Sequence, residues 1–313
     1  MNTQFWKTAA AMFGVVLATA PQATSQMKNF DALALLKWYS ANKGASFSVP
    51  QPNGLAFDGT NIWVSNYDRN TVTKIRASDG TNVGVFATGK APKAVMFDGT
   101  SIWVANTQDT TVTKISAADG QYLGMFPVEG YPTALAFDGT NVWVTIHNGL
   151  TTFRASDGRN LRVLRIGSVA LGVAYDGANI WVADAGSQAV IKVNPISGRV
   201  LGTVTVQNQP TGIVFDGTNI WVTNAGSNSV TKLLASTGKI LGSFAVGAGA
   251  NAVAFDGSNI WVIGVFDNTV TKLRATAGAR LDSITVGGFP VAVAFDGVNI
   301  WVASWLSNTL SKL

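Results

Sequence analysis

Phe215-Asp216-Gly217-Thr218-Asn219-Ile220-Trp221-Val222 is one of seven versions of a single phrase in this chain. The others occupy residues 57–64, 97–104, 137–144, 175–182, 255–262 and 295–302, and only Tyr175 replaces the leading Phe. Their tryptophans, Trp63, Trp103, Trp143, Trp181, Trp221, Trp261 and Trp301, fall 40, 40, 38, 40, 40 and 40 residues apart. A fixed period of about 40 residues means that one supersecondary unit recurs.

Reading outward from the phrase, every part of the unit is β-like. A short apolar run meets Asp-Gly, a tight-turn signal, and Asn-Ile-Trp-Val follows, rich in strand formers. A loop of Asn, Gly, Ser and Asp leads to Thr-Val-Thr-Lys-Leu or a close variant. A second turn of the type Ala-Ser-Asp-Gly then leads to a fourth run such as residues 241–246. Four strands of about five residues with three short links make a unit of about 40 residues, one four-stranded blade of a β-propeller. Seven copies predict an all-β, seven-bladed propeller over residues 45–313.

The last unit ends at Leu313, after its third strand. Residues 44–49, Gly-Ala-Ser-Phe-Ser-Val, align with Gly242-Ser-Phe-Ala-Val246. The expectation is therefore that an N-terminal strand at 45–49 completes the seventh blade by pairing with 309–313, which hides two strand edges. Ahead of it, residues 26–44 form a lead-in that reads equally as a competing closing strand or as a short helix over the ring. Residues 1–25 read as a signal peptide: Lys7 precedes an apolar stretch at 8–20, and Ala23-Thr24-Ser25 supplies small residues for cleavage after Ser25. About 13 apolar residues are too few to span a bilayer, and no later run reaches that length. The mature chain is expected outside the cytoplasm, in the periplasm, at the cell surface or secreted, as a monomer with no membrane span.

Composition narrows the chemistry. Of 313 residues 47% are hydrophobic and 12% charged, which excludes a disordered chain. With no Cys, a disulfide framework, a thiolate zinc site, a cysteine nucleophile and a lipoprotein anchor are all excluded. Lys plus Arg is 22 against 17 Asp plus Glu, a net charge of +5 that falls to +4 with the leader removed. Charge so dilute is no footprint for nucleic acid. One His, His147, and one Glu, Glu129, leave a small catalytic inventory.

With Phe-Asp-Gly-x-Asn-Ile-Trp-Val-x-Asn followed by Asn-x-Val-x-Lys-Leu, the chain resembles the YVTN-type propeller repeats of the wider NHL and virginiamycin B lyase-like superfamily, over residues 45–313. The resemblance implies the propeller fold. Its relatives include exported and surface-layer proteins, ligand-binding propellers, and metal-dependent lyases and lactonases. Those lyases use a histidine base with acidic and metal-binding residues at the central opening, and the lactonases hold a divalent cation through Glu, Asn and Asp. No catalytic residue carries over to a matching position here, and no cofactor is called for.

Repetition itself separates structural from functional residues. Asp58, Asp98, Asp138, Asp176, Asp216, Asp256 and Asp296 recur in every unit and read as turn residues bonding nearby backbone N–H groups. The tryptophans read as blade packing, each needing a partner for its indole N–H. Lys74, Lys114, Lys192, Lys232, Lys272 and Lys312 read as repeat features with their charges in solvent. Arg154, Arg159, Arg162 and Arg165 read as charge that protects an exposed outer strand. Variation gathers in the loops between second and third strands and in the crossings between blades, which share one face of a propeller. A rigid scaffold with one monotonous and one diverse face suits binding through loops. The binding candidates are Tyr67, Asp68, Arg69, Asp109, Glu129, Tyr131, His147, Asp184, Phe266, Asp267 and Trp305. The partner would be a peptide, a glycan or another cell-envelope component, bound without catalysis. Two alternatives stand beside this reading. One is a metal-dependent lyase or lactonase whose donors Glu129, His147, Asp68, Asp109, Asp184 and Asp267 converge at the channel mouth. The other is a purely structural envelope protein.

Overall fold

A computed structural model describes residues 44–313. The proposed signal peptide and nearly all of the 26–44 lead-in lie outside them. Among the described residues, twenty-eight short strands form seven four-stranded antiparallel sheets. Blade 5 is representative: Pro210–Phe215 is innermost, followed by Asn219–Asn224, Ser229–Leu234 and Ile240–Ala245. Each innermost strand lies against that of the next blade, and Pro290–Phe295 of blade 7 lies against Pro52–Phe57 of blade 1. The ring is closed.

Blade 7 is completed as the sequence predicts. Ala45–Ser48 forms its outermost strand, beside Thr309–Lys312. Phe47 stacks on Trp301 with ring centroids 5.6 Å apart, just as Phe86 meets Trp63 at 5.4 Å and Phe244 meets Trp221 at 5.7 Å. Two hydrogen bonds seal the joint: Val49 N donates to the Asn308 carbonyl at 3.0 Å, and Gln51 N donates to Asn308 Oδ1 at 2.8 Å. Within the chain, the second bond is repeated by Ala91 to Asn70, Gly249 to Asn228 and Phe289 to Asn268. The four asparagines have φ between 50° and 57°, a left-handed conformation that asparagine tolerates well. The closure therefore reuses the joint that links consecutive blades.

The repeated phrase explains itself in the turn between first and second strands. In all seven blades the turn aspartate takes the indole N–H of the tryptophan five residues on at 2.7 Å. Its other oxygen accepts backbone N–H groups two and three residues on, for Asp216 those of Thr218 and Asn219. One carboxylate thus holds the turn and satisfies a buried indole.

The repeat lysines correct the sequence expectation that their charges sit in solvent. Lys74, Lys114 and Lys232 are only 6–7% exposed. The Lys232 ammonium lies 5.1 Å from the centre of the Trp221 ring and donates to the carbonyls of Ala275 and Thr276 in blade 6 at 2.7 and 3.0 Å. Lys312 does the same across the closure, donating to Ala77 and Ser78. A lysine reaches this position because its stem runs along apolar surface while the ammonium finds carbonyls and a ring face. Lys232→Ala is expected to cost about 2 kcal/mol, because it leaves a buried carbonyl without its donor. Exposed Lys239→Ala, whose ammonium makes no such contact, should stay within about 0.5 kcal/mol. Denaturant melts of the two variants check this.

Candidate functional site

The two faces of the ring separate as the sequence implies. Ala77 N bonds the Thr60 carbonyl, joining the first and last turns of a blade on one face. Tyr67 N bonds the Gln51 carbonyl, joining a second-to-third strand loop to a crossing on the other.

On this loop face several candidates prove to be joints. Asp109 Oδ2 accepts from Lys90 N at 2.6 Å, and Asp267 Oδ2 accepts from Ala248 N at 2.9 Å. In blades 5 and 7, Ser227 and Ser307 do the same for Asn208 N and Gly288 N. Asp184 is buried and accepts Ser168 N at 3.0 Å, Val169 N at 2.6 Å and the Ser187 hydroxyl. Burial alone would raise its pKa, but the Ser187 hydroxyl and those two backbone N–H groups outweigh it and hold the carboxyl below its ordinary value. These aspartates brace crossings; they do not point at a common centre.

The third blade is irregular in the way its 38-residue spacing implies. His147 and Asn148 make a two-residue hairpin between Ile146 and Gly149. His147 is exposed, and its carbonyl accepts from Ala170 N at 3.1 Å. Glu129 does not pair with it: Glu129 is bound by Arg165, which also donates to Asn148 Oδ1 at 2.7 Å. Arg154 is paired with Asp157. Asn160–Arg165 is the outermost strand here. Among the described residues no three His, Asp or Glu side chains gather as metal donors. The convergence that a metal-dependent lyase requires of Glu129, His147, Asp68, Asp109, Asp184 and Asp267 does not occur.

What remains free on the loop face is a set of apolar and aromatic tips. Phe266 is 74% exposed, Leu306 63% and Tyr131 59%. Tyr67, Asp68 and Arg69 form a single 3-10 turn in blade 1, with Tyr67 half-buried and the other two exposed. Trp305 is half-buried against Phe289, ring centroids 5.9 Å apart.

The sequence reading missed the wall of the central channel. A cavity of about 340 Å³ on the ring axis is lined from all seven blades, including Asn53, Lys93, Thr133, Thr211 and Asn251. Below these lie Leu55, Val95, Val173, Ile213 and Val253. The equivalent position is Leu171 in blade 4 and Val291 in blade 7, and a Gly or Ala follows it in every blade. At Gly54 the reason is close approach, since a Cβ there would run into the Lys93 carbonyl oxygen of the next blade.

No protein-family model and no curated protein matches the sequence. Solved structures do match by shape. The chain shares its fold with the streptogramin lyase propellers. A streptogramin B lyase superposes with a TM-score of 0.75 at 16% identity, over 86% of this chain and 96% of that one. Virginiamycin B lyase from Staphylococcus aureus, a catalytically inactive histidine-to-alanine variant with quinupristin, gives 0.74 at 18% identity over 86% and 98%. Hydrazine synthase of Kuenenia stuttgartiensis gives 0.75 at 18% identity over 86% and 97%. At these identities the likeness is one of fold.

Proposed function

We propose that this protein is an exported, monomeric binding module that holds a peptide or glycan of the cell envelope on its loop face. The observation that carries the reading is the division of labour there: Asp109, Asp184, Asp267, Ser227 and Ser307 lock the crossings, while Phe266, Tyr131 and Leu306 stand exposed on that rigid frame. Exposed aromatic anchors on braced loops lose little conformational entropy on binding, which is what a recognition surface needs. Tyr67, Asp68 and Arg69 add a polar flank.

The histidine-dependent lyase is the second reading, favoured only by the fold it shares with the lyase propellers. Against it stand the exposed, unsupported His147 and the engagement of Glu129 by Arg165. Export is supported by the leader at 1–25, and among the described residues no helix is long and apolar enough to cross a membrane.

Peptide and glycan arrays probed with the wild type and with Phe266→Ala and Tyr131→Ala test the reading. At least one ligand should lose about 30-fold or more in affinity in one variant, the effect of removing an interface anchor, with the unfolding midpoint unchanged. Ligands that bind all three proteins equally, or none at all, would defeat it. The intact mass of the protein recovered outside the cytoplasm should begin at Gln26.

A further inference from the structure

The channel cavity holds one charge. Lys93 is the only charged residue lining it, and among the described residues no carboxylate lies within ion-pair distance of its ammonium. The six repeat lysines all have a tryptophan ring beneath them, and five also donate to carbonyls of the next blade. Lys93 has neither, although burial pushes its ammonium below the usual lysine range. A partly buried, uncompensated cation is costly to hold unless something pairs with it.

The rest of the wall says what that partner would be. The layer that holds Lys93 carries four polar residues, Asn53, Thr133, Thr211 and Asn251, beside Leu171 and Val291, and the Thr133 and Thr211 hydroxyls are already bonded to the backbone of the next blade. The amide of Asn53 remains in the adjacent blade, and that of Asn251 lines the same cavity from across the channel. One layer along, the wall is wholly aliphatic: Leu55, Val95, Val173, Ile213 and Val253. A cavity of about 340 Å³ with a cation at one level and apolar wall at the next is large enough for a small organic molecule.

We propose that the central channel is a second binding site, for a small carboxylate with an aliphatic body. Its carboxylate rests on Lys93 beside the Asn53 amide of the adjacent blade, and its chain lies against the aliphatic layer. This site is independent of the loop-face reading, because Phe266 and Tyr131 take no part in it.

Calorimetric titration and thermal melts of the full-length protein with hexanoate test the proposal, with hexanol and inorganic phosphate as controls. Hexanoate should bind and raise the unfolding midpoint, hexanol and phosphate should bind at least tenfold more weakly, and Lys93→Met should weaken hexanoate about 10- to 100-fold, the value of a hydrogen bond to a charged group. Asn53→Asp gives a second check: it supplies a carboxylate from the neighbouring strand, so it should raise the midpoint without any ligand and remove the hexanoate response. Absence of hexanoate binding to the wild type, equal binding by Lys93→Met, or phosphate binding as tightly as hexanoate would overturn the proposal.

Discussion

A chain lacking residues 44–50 is expected to lose its single cooperative unfolding transition and to aggregate at concentrations where the intact protein is monodisperse. The deletion takes away a whole outer strand, the Phe47–Trp301 stack, the fully buried Val49 and the main-chain bond from Val49 to Asn308. It also bares the edge of Thr309–Lys312, an open template for pairing with another chain. Every other blade joint is local in sequence, whereas this one brings together residues about 250 apart, so nothing but the strand itself offsets the entropy of closing the ring. Phe47→Ala isolates the side-chain part. It should cost about 2–3 kcal/mol, below the range of about 3–5 for a fully buried Phe because Phe47 is half-buried, and should match Phe86→Ala in blade 1. Calorimetry of the three variants measures this. A synthetic peptide of residues 44–51 added to the deleted chain should restore the transition by strand addition. If the deleted chain melts like the intact one, the closure contributes nothing and the ring stands on its six complete blades.

The architecture is written in the sequence because each blade must meet the same local demands. Asp-Gly makes the turn, Trp fills the blade, Asn at the loop end accepts the left-handed conformation, and repetition makes each demand visible seven times. The Asp–Trp pairing was half legible: the indole plainly needed a partner, but only the turn geometry brings Asp58 back onto Trp63. The loop face was harder. Asp109, Ser227, Asp267 and Ser307 differ in sequence yet do one job, accepting a crossing N–H 19 residues earlier. Side-chain variety there concealed a shared geometry, so joints read as candidate ligands. The buried lysines were misread for a similar reason, since the carbonyls that receive Lys232 belong to the next blade, more than 40 residues away. The place of Lys93 in the channel wall was not legible because Asn53, Lys93, Thr133, Leu171, Thr211, Asn251 and Val291 come to line one cavity only when the ring closes.

The largest single-residue effect should come from the Asp–Trp pairs, and it carries a pH signature. Trp221→Ala removes a fully buried ring that touches Phe244, lies under Lys232 and donates to Asp216. A loss of about 4 kcal/mol is expected, in the range for a buried Trp replaced by Ala. Asp216→Asn keeps the shape but weakens the bonds to the indole and the backbone N–H groups, for about 1 kcal/mol. Acid should act on the same groups. For Asp58, Asp138 and Asp216, burial alone would raise the pKa, but the indole N–H and the N–H groups of the turn outweigh it and hold each carboxyl below 3.8. Asp256 and Asp296 are held down in the same way, by Asn259 and Trp261 and by Trp301 and Asn299. A carboxyl with a lower pKa folded than unfolded binds fewer protons in the native state. Its contribution is therefore complete above the unfolded value near 3.8 and is lost as pH falls through the lower folded value. The unfolding midpoint should be nearly level from pH 7 to about 5 and then fall steeply below about 4, because several linked groups titrate together. Asp216→Asn combined with Asp256→Asn should start from a lower midpoint at pH 7 and show a shallower acid limb. An acid limb as steep as that of the wild type in the double variant would mean that the turn carboxylates are not the groups that acid must protonate.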